Sequence, residues 1–480
     1  MSTKNEKNIT DYEELNDSIK KDQNEDSYTA KNIIVSKFPE CVQQSPGMYI
    51  GDTNEGGKEH MIDEIVFNAA DEYLAGFAKV ITIILRKDDF IEVEDDGRGM
   101  PPDVIEYEDD FGNKIQRSGI ETIFTVLHAG AKSTGANNGY KVSGGLHGVG
   151  ASVVNALSEE LEVRVYKGHE YTMKFMNGIT TEPLKKLGAT KKRGTFVRFK
   201  PSTKIFTQPS INESLIIKKV EELAFLNSGI TIKFTSEKNQ LHHVFHFPNG
   251  LLDFIIKILN KKKTVVDPIF FSSKEDTFEC EVAMAWCAEY EDEECFAFTN
   301  NIPQPDLGYH VTGFRFGVMR SINDYISKNK TRDYIKTFFN KHKDIEITSE
   351  DVRGAMKYII SVKCQKPMFS SQTKTKLVSP FVRTKVEKLV DEELRNYLEK
   401  NPEIAKKIIS KIFVNALARN IAKKERAKDF EMNDVDSFSI PGKLTDCDKR
   451  IPPKDRELMI VEGDSAAGTA KEAKSPHQAI

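Results

Sequence analysis

The sequence predicts an α+β fold, in which helical segments and antiparallel strand pairs form separate runs along the chain. Apolar residues recur with a period near 3.6 over roughly 58–75, which indicates a helix with one buried face. The apolar runs 80–85 and 90–94 flank a charged turn, which is typical of a β-hairpin. Residues 161–200 are again strand-like. Strand pairs and helices in separate runs favour an antiparallel sheet covered by helices.

Composition sets limits on the class of protein. The chain has 480 residues, 39% hydrophobic and 30% charged, which predicts two to four globular domains. A net charge of -4 gives no overall basic bias, although a local basic surface is compatible with it. No apolar run approaches the roughly 18 residues of a membrane span. The first 30 residues are polar, without the apolar core of a secretory signal. The six cysteines have no CxxC spacing, which favours free thiols in a reducing cytoplasm.

Polar side chains form a stripe on the predicted helix, opposite its apolar face. Glu64, Asn68, Asp71 and Glu72 are spaced i, i+4, i+7 and i+8, so they lie on one side. Two interpretations remain open, a solvated charged face or a functional set of acids around an amide. The second hairpin strand ends at Asp95, before two glycines. This pattern suits recognition of a ligand at close backbone approach, and an acidic turn is the alternative.

A glycine-rich stretch indicates a phosphate-binding loop. Gly144–Gly150 contains four glycines in seven residues and runs directly into the apolar helical segment 151–157. Glycine allows positive φ and close approach to a ligand, and a helix start offers unpaired N–H groups. The P-loop pattern is absent, because Ala131 precedes Lys132 where that motif needs glycine. Upstream, residues 120–129 predict a short helix that ends at Gly130.

Taken in series, these motifs resemble the GHKL ATPase domain. More closely, they are similar to the ATPase (B) subunit of bacterial type IIA DNA topoisomerases, that is, of DNA gyrase or topoisomerase IV. The similarity covers roughly residues 28–200 and continues downstream. It implies a GHKL (Bergerat) α/β sandwich, a transducer domain of ribosomal-protein-S5-like fold and the truncated start of a TOPRIM domain. The implied boundaries are an N-terminal arm at 1–31, the ATPase domain at 32–240, the transducer at 241–430 and a linker with the TOPRIM start at 431–480.

The resemblance also implies a role for each matched residue. Glu64 would be the general base, Asn68 would ligate Mg²⁺ beside ATP, and Asp95 would accept a hydrogen bond from the adenine amino group. The other implied nucleotide-binding residues are Glu72, Arg98, Gly99, Met100, Pro101 and Thr195 around the base, Lys132, Tyr140, Lys141, Gly144, Gly145, Leu146, His147, Gly148, Val149 and Gly150 in the lid, and Tyr28 from the arm of a second protomer.

Within the predicted ATPase domain, the family pattern is broken at two places. Phe67 precedes Asn68 where the family has an aspartate, and Phe67 cannot accept a hydrogen bond. The loss of that carboxylate predicts weaker activity. The arginines that usually precede the Pro-Gly-Met-Tyr motif are replaced by Gln43-Gln44-Ser45.

The second half contains three further matches. Gln372-Thr373-Lys374 corresponds to the transducer loop that reaches the γ-phosphate from another domain, so Gln372 and Lys374 are expected in catalysis. Residues 381–429 predict a long basic helical stretch, either a solvated helix or a surface along the path of DNA. The apolar run 458–461 predicts a buried strand that delivers Glu462, which the TOPRIM resemblance makes a Mg²⁺ ligand for DNA cleavage. The second acidic TOPRIM motif is absent, which we expect to reflect a truncated chain or a split gene whose other chain completes the domain.

The expected function is therefore that of an ATP-binding and hydrolysing subunit of a cytoplasmic, nucleoid-associated type IIA topoisomerase. ATP-driven homodimerisation at the N-terminal gate would drive DNA strand passage, and a separate A-type subunit would carry the DNA-cleaving tyrosine. Two alternatives remain open: a GHKL clamp of the mismatch-repair or chaperone class, and a non-hydrolysing nucleotide-binding fragment.

Overall fold

The computed structural model describes residues 36–108, 112, 114–130, 148–207, 211–371, 374–432, 445, 447–448 and 450–480, and gives only the backbone of 426–432 and 464–465. By packing, the chain divides into two compact units. The first contains the described residues up to Asn323 together with Ala355–Lys400, and the second contains Asp324–Gly354 together with the described residues from Asn401 onward. The domain boundaries at 31, 240 and 430 stay a prediction.

The first unit opens with helices and a six-stranded sheet of order β5-β6-β2-β1-β7-β8. All neighbouring strands are antiparallel except β1 and β7. A separate hairpin, β3–β4, lies outside this sheet. The elements are α1 (Glu40–Gln44), α2 (Gly47–Ile50), α3 (Glu55–Leu74), β1 (Val80–Leu85), β2 (Ile91–Asp95), β3 (Val104–Glu108), β4 (Lys114–Ser118), α4 (Gly119–Thr125), α5 (Gly150–Ala156), β5 (Ser158–Met176), β6 (Ile179–Pro201), α6 (Glu213–Leu226), β7 (Thr231–Ser236) and β8 (Leu241–Phe245).

Helix α3 lies across the first sheet and presents two buried faces. The carboxylate of Asp52 accepts hydrogen bonds from the N–H groups of Asn54 and Gly57, both at 2.9 Å, and so caps its first turn. The apolar face packs into the core of the unit, where Ile62 and Ile65 are buried. Asp71 and Glu72 are buried as well, so a solvated face does not describe the acidic end of the stripe.

A second sheet follows in the same unit, with order β12-β11-β13-β10-β9. Its central strand β13 is buried along its whole length because helices cover both faces. On one side Ile359 joins a cluster with Phe254, and on the other Tyr358 stacks on Phe314 with ring centroids 4.2 Å apart. The elements are α7 (Leu251–Leu259), β9 (Ile269–Lys274), β10 (Phe278–Trp286), β11 (Glu294–Thr299), β12 (Ile302–Pro303), α8 (Tyr309–Lys328), β13 (Met356–Cys364) and α11 (Pro380–Lys400), and two helices of the second unit come between α8 and β13 in the sequence.

The second unit is mainly helical. Phe338 stacks on Phe413 with centroids 3.8 Å apart, and Arg419 forms an ion pair of 2.7 Å with Asp351. Its elements are α9 (Asp333–Lys341), α10 (Ser349–Arg353), α12 (Pro402–Met432), β14 (Glu457–Leu458), α13 (Asp464–Ala473) and β15 (Gln478–Ala479), with a short 3₁₀ turn at Pro453–Asp455.

Of three local expectations, two were wrong, and the helical stretch over 381–429 was right apart from one break. The helix predicted over 120–129 ends at Thr125, because Val126 adopts extended angles, so Gly130 is not its cap. The stretch 381–429 is two helices, because proline at 402 lacks an N–H and disfavours helical angles at the preceding residue. The strand before Glu462 is short and exposed, with Ile460 87% accessible, because β14 pairs only with β15 in the described part of the chain.

The described helices also bear on membrane association. None of them is long and apolar enough to cross a bilayer.

Candidate active site

A cavity of about 690 Å³ in the first unit brings together residues from widely separated parts of the sequence. Three residues of the polar stripe of α3, namely Glu64, Asn68 and Glu72, form one wall, and residues of β2 and β6 form the floor. Of the predicted site residues, the cavity is lined by Glu64, Asn68, Glu72, Asp95, Arg98, Gly99, Met100, Pro101, Gly148, Val149, Gly150, Thr195 and Lys374.

The floor of the cavity centres on Asp95, the last residue of β2. Its Oδ1 accepts a hydrogen bond of 2.8 Å from the N–H of Gly97. Burial is the main reason that the pKa of Asp95 is raised to about 7; the bond from Gly97 acts against it, and the nearby charge of Glu72 acts in the same direction as burial. Gly194 passes directly over Asp95 with φ +115, and a Cβ there would lie 1.8 Å from the Asp95 carbonyl oxygen. Only glycine therefore fits at position 194.

An ion pair forms one side of the cavity next to Asp95. The Glu72 carboxylate accepts hydrogen bonds from the backbone N–H of Arg98 at 2.9 Å and from its guanidinium at 2.9 and 3.1 Å. The same guanidinium lies 4.0 Å from the ring centroid of Phe77. Because a bidentate pair with a stacked guanidinium has little rotational freedom, this wall is rigid before any ligand arrives.

Glu64 lies at the opposite end of the cavity from this pair along α3. His60, one turn earlier, has its Nε2 at 3.3 Å from Glu64 Oε1. A Cβ on Gly150 would lie only 2.0 Å from Glu64 Oε2, so the carboxylate packs directly against the start of α5. The side chain of Glu64 is 22% accessible, which leaves one side of the carboxylate open to the cavity.

Lys374 comes from the second sheet's part of the unit and lines the same cavity. Its backbone has φ +56, in the left-handed region that is uncommon for residues other than glycine. The lysine thus adds a positive charge to a cavity whose other walls carry Glu64 and Asp95. Positive charge is what a polyphosphate tail requires.

Several predicted residues lie outside the described part of the chain. These are Tyr28, Lys132, Tyr140, Lys141, Gly144, Gly145, Leu146, His147 and Gln372. Glu462 is described and exposed, in the second unit just before α13. In the residues that the structure describes, no group of three or more His, Cys, Asp or Glu side chains is arranged to hold a metal ion.

Sequence reasoning missed the apolar lining of the cavity. Val93 and Val197 are direct cross-strand partners on its floor. A signal for them was present, because Val93 lies two residues before Asp95 and Val197 two residues after Thr195, and alternate residues of a strand share a face. Ile105 and Tyr107 of β3 also line the cavity, and nothing in their sequence pattern indicated it.

Comparison with known proteins identifies the family. Residues 54–205 match the family of histidine kinase-, DNA gyrase B- and HSP90-like ATPases, and residues 250–428 match the DNA gyrase B family. The chain is 39% identical to the B subunit of DNA gyrase from Clostridium acetobutylicum, over 93% of this chain and 68% of that protein. It is 41% identical to the corresponding protein of Streptococcus pneumoniae, over 96% and 69%. The chain belongs to the DNA gyrase B family.

Solved structures agree with this assignment. The 43K ATPase domain of Thermus thermophilus gyrase B, in complex with an aminocoumarin, matches with a TM-score of 0.66 and 32% identity over 81% of this chain and 97% of that one. The topoisomerase IV ATP-binding domain of Francisella tularensis, in complex with a small-molecule inhibitor, matches with a TM-score of 0.64 and 34% identity over 80% and 98%.

Family membership confirms three predictions made from the sequence. The fold is a GHKL ATPase domain followed by the gyrase B domain that contains the second sheet. The chain is an ATPase subunit of a type IIA DNA topoisomerase, and the enzyme class is that of an ATP-dependent isomerase of DNA topology. The alternative of a mismatch-repair or chaperone clamp is not supported, since the relatives match over nearly the whole chain.

Proposed function

We propose that this gyrase B family chain binds ATP in the cavity between α3 and the first sheet and uses hydrolysis to drive DNA strand passage. The observation that carries the proposal is that Glu64, Asp95 and Lys374 line one cavity. Asp95 recognises the base at one end, Glu64 serves the hydrolytic step, and Lys374 binds the terminal phosphate. One pocket thereby contains the groups for base recognition, proton transfer and charge stabilisation.

In the hydrolytic step Glu64 orients the attacking water and accepts its proton. Proton acceptance by a positioned carboxylate requires that the group reach the water that attacks phosphorus. Packing against Gly150 and contact with His60 leave Glu64 few orientations, so the carboxylate is held before substrate binds. A group that is already oriented avoids the entropy cost of ordering it during the reaction.

The cavity offers one side chain that is suited to bind a magnesium ion. Asn68 lines the wall between Glu64 and Glu72 and offers an amide oxygen. Mg²⁺ is commonly held by phosphate oxygens, waters and one or two protein ligands, so a single amide suffices when ATP is present. The ion would neutralise phosphate charge. Among the described residues, Glu462 belongs to no group of three or more possible metal ligands, and we assign no reaction step to it.

The proposed role of Lys374, which reaches the nucleotide cavity from the part of the unit that contains the second sheet, can be tested by substitution. We expect Lys374→Ala to lower kcat for ATP hydrolysis by about 10²-fold, because it removes a positive charge aimed at the transferring phosphoryl group. The affinity for ADP should stay the same, since the base contacts at Asp95 are untouched. Steady-state kinetics and ADP titration measure both quantities. Lys376→Ala, an exposed lysine of the same loop, is the matched control. Equal kcat values for the two variants would remove Lys374 from the mechanism.

ATP-dependent homodimerisation is the second part of the proposal. It is supported by the family resemblance, which implies that Tyr28 would reach the ATP site of a second protomer. We expect a non-hydrolysable ATP analogue to convert the 480-residue chain to a dimer in sedimentation velocity, and ADP to leave it a monomer. A sedimentation coefficient that is unchanged by the analogue would argue against ATP-dependent homodimerisation.

DNA and the A-type subunit are the proposed partners, in the cytoplasm and at the nucleoid. On α12, Lys406, Lys407, Lys423 and Lys424 are exposed, whereas Arg419 is engaged by Asp351. The exposed lysines are available for nonspecific, salt-dependent attraction to DNA phosphates. A nucleotide-binding protein without hydrolysis is the second candidate, and Phe67 favours it. Phe67 packs against the hydrophobic core and places no carboxylate beside Asn68.

A further inference from the structure

Gln304 is a buried side chain in the loop after β12. It is 2% accessible, and its Nε2 donates a hydrogen bond of 2.7 Å to the carbonyl oxygen of Lys374. The carbonyl oxygens of Ile302 and Pro303 lie 3.3 Å from the same nitrogen. Since three acceptors surround this atom, only the NH₂ end of the amide fits there. The opposite atom, Oε1, has no partner in the described residues.

The backbone at Lys374 is held on both sides. Its φ of +56 is costly for a lysine and persists only where the surroundings determine it. The N–H of Lys374 donates to the carbonyl of Ser371 at 3.1 Å, and the N–H of Asp306 donates to the carbonyl of Thr375 at 3.2 Å. Gln304 adds the bond to the carbonyl between them.

The same two segments stay together further along. The N–H of Tyr309 donates to the carbonyl of Leu377 at 3.0 Å, and Gly308 forms a parallel bridge with Leu377. The segment 304–309 therefore forms a fixed support for 374–377. At the Lys374 end of this support, the contact is made by the Gln304 side chain.

We propose that Gln304 is a positioning residue for ATP hydrolysis, whose amide fixes the Lys374 backbone so that the ammonium group points into the nucleotide cavity. The proposal rests on the role of Lys374 proposed above. Gln304 is not among the described residues that line the cavity, so it acts through Lys374. Burying an amide with one unpartnered atom costs free energy, and a residue needed only for packing would not require an amide. This cost favours a role for the Nε2 donor of Gln304.

A double-mutant cycle tests this. Gln304→Met keeps the length and removes the donor, and Gln304→Glu keeps the shape and places an oxygen against the carbonyl. Each is made in the full chain, alone and together with Lys374→Ala. We expect each single variant to lower kcat about tenfold, the loss produced by one unsatisfied buried hydrogen bond. We also expect a smaller preference for a non-hydrolysable ATP analogue over ADP, with the ADP affinity unchanged.

In the Lys374→Ala background neither Gln304 variant should lower kcat further. Gln365→Met, an exposed glutamine near the end of β13, is the matched control and should behave as wild type. Additive losses in the double variants, or a wild-type kcat in both single variants, would overturn the positioning role. A loss of ADP affinity in both Gln304 variants would overturn it too, because it would indicate a general structural defect. If Lys374→Ala itself retains kcat, the proposed role of Lys374 fails first and the inference fails with it.

Discussion

The Glu64→Ala variant is expected to lose ATP turnover by about 10²–10⁴-fold, the range that a positioned general base contributes. The affinity for a non-hydrolysable ATP analogue should stay close to wild type, because the base-recognition end at Asp95 and the phosphate contact at Lys374 are left in place. The Glu64 carboxylate lies at the cavity surface between His60 and the start of α5, so shortening the side chain removes little core packing. Single-turnover hydrolysis and analogue titration separate the two effects.

Two further variants sharpen this experiment. Glu64→Gln retains the size and the contact with Gly150 and cannot accept a proton, so it should lose turnover to a similar extent. Glu40→Ala, an exposed acid in the first turn of α1, should be indistinguishable from wild type. Hydrolysis at the wild-type rate in Glu64→Gln would assign the base to another residue. If the wild-type chain binds the analogue but shows no turnover, the result favours the alternative of a nucleotide-binding protein without hydrolysis.

The helix that carries Glu64 shows what the sequence predicts well. Local periodicity located α3 to within three residues at its start and one at its end. The same pattern left the polar stripe undecided, because a solvated face and a buried functional wall have identical spacing. Which interpretation is correct depends on the residues that pack against the polar stripe. Residues such as Gly150 and Arg98 approach α3 only in the folded chain.

Pairings between distant segments were out of reach for local patterns. The contact of Val93 with Val197 is a matter of strand register, which alternation along one strand cannot specify across a long intervening stretch. The entry of Lys374 into the cavity depends on the packing of the second sheet's part against the first. Family resemblance supplied the role of Lys374, whereas the support from Gln304 is visible only in the structure.

The raised pKa of Asp95 predicts that nucleotide affinity depends on pH. The pKa of Asp95 in the empty cavity is about 7, chiefly because burial disfavours the charged form. The adenine amino group is a hydrogen-bond donor, so it binds the ionised carboxylate. As pH falls below about 7, a proton must first leave Asp95, and affinity should fall by about tenfold per pH unit. Above about pH 8 affinity should be constant.

Calorimetric titration with adenosine gives the cleanest measurement, because this ligand has no phosphate to titrate. Binding at about pH 6.5 should release about half a proton or more, visible as a dependence of the heat on the buffer. Asp95→Asn should weaken binding at about pH 8 and abolish the pH dependence. Asp103→Asn, an exposed residue beyond the cavity, should preserve both. A pH-independent affinity in the wild-type chain would show that Asp95 is already ionised throughout this range.

The same raised pKa predicts an opposite effect on stability. Between the ordinary aspartate pKa of 3.8 and about 7, the folded chain binds more protons at Asp95 than the unfolded chain does. The contribution of Asp95 to the free energy of unfolding is therefore fully present below pH 3.8, and it is lost as the pH rises toward 7. At about pH 8 the wild type holds an unfavourable buried charge, which asparagine removes at nearly constant shape. We expect Asp95→Asn to raise the melting temperature of the nucleotide-free chain most at about pH 8, by a smaller amount at about pH 5, where the loss between pH 3.8 and about 7 is only partly complete, and hardly at all near pH 3.8. A variant that is more stable yet binds adenosine less well would show that the buried carboxylate is kept for recognition, at the expense of the empty fold.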